Sequence, residues 1–295
     1  MTVQPITTIV VPGEFSLRET CGPVAWGGGR WPNLDWVDGC LVWVGLEGGR
    51  TASRIVQQPD PSKPLIFISG QRRPEGDHRW AEQVLGISTM APEVGDPVIA
   101  DLARRFPGMR PTGSPSLYDG VIGAVVGQSI SVKAAAVTER RLAALLNEPV
   151  ELFGRPFWPL PSAAQVAGAD PALVRTSGVT QRRADALVAI GKLVEDGALP
   201  TLGLCRSDPE EATRQLMQLP LVGRWTAESV LLWGVASPDC YPSGDVALLR
   251  AARLAYARPE MTMRDLDALS DAWRPGRSWA ARWLWLNLLG TATDA

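Results

Sequence analysis

LPLVGRWTAESVLLWGVASPDCYPSGD, running from Leu219 to Asp245, is the stretch on which the reading of this chain turns. Pro220 and Gly223 punctuate a short turn between an apolar run ending RQLMQL and a second helical run from about Arg224 to Val235. Two helices therefore meet at a hairpin. A turn of this kind aims unpaired backbone N–H groups outward at a helix N-terminus, which suits a phosphate without requiring many Lys or Arg side chains. An ordinary corner between two helices leaves the same trace, so the turn alone assigns no ligand. Asp245 is open in the same way. SGD followed by VALLRAARLAYA is an Asp N-cap before an amphipathic helix. The same carboxylate, favoured as an anion by the helix dipole, suits a developing cation. The two roles are compatible.

Further segments extend the pattern: FSLRET from Phe15, FPGMRP from Phe106, VVGQSISVKAAA from Val125, GVTQRRADAL from Gly178, YPSGDVALLRAA from Tyr241 and WRPGRSWAARWLW from Trp273. With the hairpin, they make the chain resemble the helix-hairpin-helix DNA glycosylases, and most closely the AlkA-type 3-methyladenine DNA glycosylases. The resemblance spans most of the sequence. It implies a mostly α fold with a small N-terminal α+β domain, in which an antiparallel sheet lies beside two helical lobes with a cleft between them. It also implies that Asp245 is the catalytic aspartate, and that the hairpin at 219–227 grips DNA through Leu219, Pro220, Leu221, Val222, Gly223 and Thr226, with the catalytic loop at 241–246. The usual hairpin pattern is LPGVG or LPGIG. Here Leu221 replaces the first glycine, the residue that would allow free choice of φ and close approach of phosphate.

Family members that also cut the DNA backbone carry a lysine two residues beyond the last hairpin glycine, where this chain has Trp225. The resemblance therefore implies a monofunctional hydrolase that leaves an abasic site, without lyase activity. Trp225 and Trp285 match pocket tryptophans whose ring faces attract a cationic alkylated purine. Ser229 and Val246 replace family pocket tyrosines, which implies a cavity that is wider or less electron-rich. Extrusion of a base leaves a gap to be plugged. The matching plug is the GQSIS turn, where Ser129 replaces an intercalating leucine, so Gln128 or Ile130 is expected to fill the stack. Read without the resemblance, GQSIS is a helix end before a Ser131 N-cap.

The resemblance further implies a monovalent Na+ or K+ ion at the main-chain carbonyls of Met217, Leu219 and Val222; no other cofactor is expected. No cysteine follows Cys240, so the four-cysteine iron–sulfur cluster of the endonuclease III branch is excluded by count. Cys21, Cys40, Cys205 and Cys240 lack CxxC spacing and are expected as reduced or buried thiols. The 12 Trp, against 3 Tyr and 5 Phe, must be mostly core, and WAARWLW places Trp279 and Trp283 at helical spacing for packing. His78, in EGDHRW, is read as a surface or packing residue.

With 295 residues, 45% of them hydrophobic, the chain can bury sizeable cores. A net charge of −2 argues against nonspecific coating of nucleic acid. If DNA is bound, a shallow salt dependence is expected, with about two to five phosphates neutralised. No run of about 18 apolar residues suggests a membrane span and no targeting segment is visible. The expectation is a monomeric cytoplasmic enzyme acting at a bacterial nucleoid on double-stranded DNA with damaged bases, handing its product to an abasic-site endonuclease. The alternatives are a glycosylase for oxidised or deaminated bases and a noncatalytic helix-hairpin-helix DNA-binding module.

Residues 1–76 read as an antiparallel sheet domain. CLVWVGLEGG, TASRIVQQ and PLIFISG are β-prone runs, with a turn at Glu47, Gly48 and Gly49. Residues 77–295 read as helical, with starts signalled at Ser131, Thr180 and Asp208–Pro209. Candidate bridging helices cover Arg79 to Leu85 and Pro97 to Phe106.

Overall fold

Strand β3 (Cys40–Glu47) returns as β4 (Arg50–Gln57) through Gly48 and Gly49, both at positive φ, with Glu47 opposite Arg50. Only a turn with left-handed central residues matches the strand twist here, which is why the two glycines stand together. Strands β1 (Thr7–Val10), β5 (Leu65–Ser69) and β2 (Leu34–Val37) complete an antiparallel sheet of order β1-β5-β4-β3-β2. The computed structural model describes residues 6–22 and 31–293.

One face of the sheet is covered by α1 (Leu17–Thr20) and α2 (Asp77–Leu85), whose Trp80, Ala81, Val84 and Leu85 join Trp43, Val56, Ile66 and Ile68 in one core. Arg54 is fully buried there, lying 5.3 Å from the Trp43 ring and 5.2 Å from the Trp80 ring, and its Nε donates to Asp77 at 2.9 Å. Helix α2 begins where the sequence changes from strand to helix period, yet it packs into the sheet's core.

The other face is covered by a ribbon the sequence does not announce. Strands β6 (Val150–Leu152) and β7 (Arg155–Phe157) set Val150, Leu152 and Phe157 against Val37, Val42 and Val44. The helical reading of residues 77–295, in which no strand signal stood out, is corrected here by this short ribbon. Three-residue strands carry too little period to be seen against a helical background.

The helices from residue 97 form two groups that share one apolar core. The first comprises α4 (Leu117–Gly127), α5 (Val132–Leu146), α6 (Ala163–Ala167), α7 (Pro171–Arg175), α8 (Gln181–Glu195), α9 (Leu202–Ser207), α10 (Pro209–Leu216) and α11 (Arg224–Ser229). The second comprises α3 (Pro97–Arg105), α12 (Val246–Ala255), α13 (Met263–Ser270) and α14 (Arg277–Thr293), with α14 packed on α12 and α3. Start after start is capped by a side chain accepting a local backbone N–H, including Ser131, Thr180, Asp208 and Asp245. Such a cap contributes about 1 kcal/mol.

The helix expected to run from Arg224 to Val235 is α-helical only to Ser229 and continues as a π-helical turn over Val230–Gly234. The Leu232 carbonyl accepts the Arg282 guanidinium at 2.6 Å. Helix α4 crosses this turn closely, and a Cβ on Gly120 would lie 2.7 Å from Gly234 Cα. Cys21, Cys40, Cys205 and Cys240 are buried free thiols. Among the described residues, no helix is long and apolar enough to cross a membrane.

Candidate active site

The hairpin joins α10 to α11. Leu219 and Val222 are buried and anchor the turn in the core, while Gly223 is exposed at the N-cap of α11. Leu221 adopts φ +62, the left-handed conformation that a glycine would take without strain. A leucine thus stands at a turn position whose backbone conformation favours glycine.

Asp245 caps α12. Its Oδ1 accepts the Leu248 N–H at 2.7 Å, and its Oδ2 accepts the indole N–H of Trp225 at 3.2 Å. The reading of Asp245 as a helix cap holds, and its second oxygen is turned towards the hairpin helix, which belongs to the other helical group. Trp225 is half-buried, and Ser229, one turn on along α11, is buried. Val246 directly follows Asp245 and is 75% exposed, so it is open to solvent. Trp285, on α14, stacks on Trp233 with ring centroids 5.2 Å apart, and Arg282 lies 4.2 Å from the Trp233 ring. Trp285 is therefore seated on Trp233, whose ring in turn carries Arg282.

The loop carrying Asp245 is anchored along its length. The Cys240 N–H donates to Ser278 Oγ at 2.9 Å, and the Tyr241 hydroxyl donates to Asp267 at 2.7 Å. Burial, with the Asp267 carboxylate beside it, pushes the Tyr241 phenol above its usual range. Ser243 donates both its N–H, at 2.8 Å, and its hydroxyl, at 2.7 Å, to Glu228 Oε2.

In the GQSIS turn, Ser129 takes φ +59 and Ser131 caps α5. The Gln128 amide donates to the Leu221 carbonyl at 2.8 Å and to Thr226 Oγ1 at 2.9 Å. Of the two residues expected to fill the stack, Gln128 has its side chain turned inward, tying the turn to the hairpin. Ile130 is 40% exposed and remains available. Arg183 secures the turn from the other side, donating to the Gln128 carbonyl at 3.1 Å.

Sequence reasoning passed over Glu228, Arg224, Trp233 and Arg183. Arg224 and Glu228 stand at i, i+4 spacing, a legible ion-pair signal, and Arg224 Nε meets Glu228 Oε1 at 2.9 Å. Arg224 also grips Glu210 with two bonds, at 2.9 and 2.8 Å. Its charge is therefore compensated within the protein. Trp233 and Arg183 act across long sequence separations and left no local signal. For the cation, Leu219 carbonyl oxygen also accepts the Val222 N–H at 3.2 Å. It keeps one lone pair, which is compatible with carbonyl ligation.

No protein-family profile matches the chain. A DNA-3-methyladenine glycosylase of Bacillus subtilis is 25% identical over 191 residues; the matched region takes in 64% of this chain and spans 63% of that relative's length. The solved 3-methyladenine DNA-glycosylase from Archaeoglobus fulgidus superposes with a TM-score of 0.77 at 21% identity, covering 96% of this chain and 97% of that one. The Schizosaccharomyces pombe 3-methyladenine DNA glycosylase, solved in complex with abasic DNA, superposes with a TM-score of 0.54 at 25% identity, covering 65% of this chain and 91% of that one.

Proposed function

Because the chain belongs to the helix-hairpin-helix DNA glycosylase superfamily, we propose that it excises alkylated purines of the 3-methyladenine and 7-methylguanine type from duplex DNA as a monofunctional hydrolase. The observation that carries this reading is Asp245, held by two N–H donors at a helix N-terminus and turned towards the hairpin. The hairpin N–H groups at the start of α11 bind phosphate, and Ile130 fills the gap left by the extruded nucleotide. Trp225 and Trp285 offer ring faces to the cationic base, and Ser229 and Val246 widen the pocket between them. The glycosidic C–N bond then breaks with its electron pair leaving on the base. Asp245 stabilises the oxocarbenium-like sugar until water adds to it. Alkylation at N3 or N7 already makes the base a good leaving group, so no separate general acid is required.

Trp225 stands where a lyase would carry its amine, so no Schiff base forms at that position. A Na+ or K+ ion on the carbonyls of Met217, Leu219 and Val222 would stiffen the turn. The abasic product passes to an abasic-site endonuclease.

The test is release of free base from N-methylated duplex DNA by wild type and Asp245→Asn, with strand breaks assayed without alkali. The expected outcome is release by wild type without nicking, and loss of release in Asp245→Asn with abasic-site DNA binding retained. Wild-type turnover by that variant would remove Asp245 from the mechanism. No release by the wild-type protein would leave a noncatalytic binding module or a different lesion.

A further inference from the structure

Glu228 is buried, with a side chain 8% exposed, in the helix that leaves the hairpin. A buried carboxylate is held there only if its oxygens are satisfied. One oxygen takes the Arg224 guanidinium of the hairpin helix, and the other takes both donors of Ser243, two residues before Asp245. The Glu228 main-chain oxygen accepts the Cys240 thiol at 3.2 Å, so the same residue holds the loop near both ends. Nothing in the chemistry of base loss requires this carboxylate to touch DNA. Its bonds instead join the element that grips the backbone to the loop that carries the catalyst.

Resting on the function proposed above, we propose that Glu228 is a positioning residue for excision: through Ser243 it sets the height of the YPSGD loop over the hairpin, and so the place of the Asp245 carboxylate beneath the extruded sugar. Two bonds to one carboxylate oxygen define the loop's position more narrowly than one. Arg224, anchored on Glu210, keeps the carboxylate from rotating away. Loss of the tie leaves Asp245 capping α12 but frees the loop to shift relative to the DNA grip. A catalyst displaced by about an ångström loses up to about a hundredfold in rate.

The experiment compares wild type, Glu228→Ala, Glu228→Gln and Ser243→Ala in single-turnover release of 7-methylguanine from a duplex oligonucleotide. Binding of a duplex carrying a tetrahydrofuran abasic analogue is measured in parallel. The expected result is a rate at least about tenfold lower for Glu228→Ala, with the Kd for the abasic analogue within about threefold of wild type. Glu228→Gln keeps a carbonyl oxygen for the two Ser243 donors and recovers most of the rate. Ser243→Ala, which loses the hydroxyl bond alone, falls by about threefold to tenfold.

A folded Glu228→Ala with the wild-type rate overturns the proposal, as does a Glu228→Gln no better than Glu228→Ala. Should Glu228→Ala not fold, Ser243→Ala decides, and its retention of the wild-type rate overturns the proposal. Absence of base release by the wild-type protein would instead strike the function itself, a failure visible before any variant is measured.

Discussion

At the scale of single residues, Leu221 is a non-glycine side chain held in the left-handed region that favours glycine. Its φ of +62 costs a non-glycine residue about 1 to 2 kcal/mol. Replacement by glycine recovers that strain, at an opposing cost of about 0.5 to 1 kcal/mol in chain entropy and some lost contact. Leu221→Gly is therefore expected to unfold within about 1 kcal/mol of wild type in urea. Leu219→Gly, which empties a buried site, should lose about 3 kcal/mol or more. Equal losses for the two would show that Leu221 is not strained. Glu228 and Asp245 belong to this scale too, since their carboxylate partners set what each can do.

Among elements, the meeting of α4 with the π-helical turn after α11 decides where the hairpin sits. Gly120 and Gly234 face each other with no room for a methyl group, as the 2.7 Å approach shows. Gly120→Ala is expected to destabilise by about 1 to 3 kcal/mol through overpacking, although alanine is the better helix former. Thermal melting checks this, and an unchanged or raised Tm would contradict the close crossing. Three elements converge on the hairpin, its helix α11 and the π-helical turn that follows: Gln128 ties the GQSIS turn to Leu221, Glu228 ties in the catalytic loop, and Arg282 ties α14 to Leu232. The i, i+4 pair of Arg224 and Glu228 could be read from spacing, whereas the Ser243 bonds could not, because the partners stand fifteen positions apart, across the π-helical turn and a loop. The β6–β7 ribbon escaped reading because each strand is only three residues long.

For the whole molecule, buried acids set the pH response. Burial pushes the Glu139 carboxyl up to about 8, with Asp119 adding to the shift, and burial pushes Asp119 up to about 6. Both groups hold protons in the folded state that the unfolded chain releases, so they stabilise at low pH and that stability is lost as pH rises. For Glu139 the loss runs from its ordinary value of 4.5 to about 8, at up to about 1.4 kcal/mol per pH unit. Glu139→Gln should flatten this decline in urea unfolding measured across that range, and an unaltered slope would place the proton elsewhere. Charge shapes DNA binding at the same scale. The net charge is −2, and Arg224 is neutralised between Glu210 and Glu228. Binding to abasic-site duplex should therefore show a log–log salt slope corresponding to about two to five phosphates. A slope near ten would demand a basic surface doing most of the binding.

The hairpin, the Asp245 cap and the strand-to-helix change near residue 77 were legible in the chain because each depends on groups a few residues apart. A cap oxygen reaches an N–H three positions on, and a glycine pair turns one strand into the next, whatever the rest of the molecule does. The site's working geometry is different in kind. Trp225 meets Asp245 across 20 residues, Gln128 meets Leu221 across 93, and Trp285 stacks on Trp233 from another helix. Those pairings depend on how two helical groups pack around a shared core, and burial free energy summed over that core is indifferent to the spacing of any one pair along the sequence. Only the folded chain could turn the Gln128 amide inward and leave Ile130 exposed.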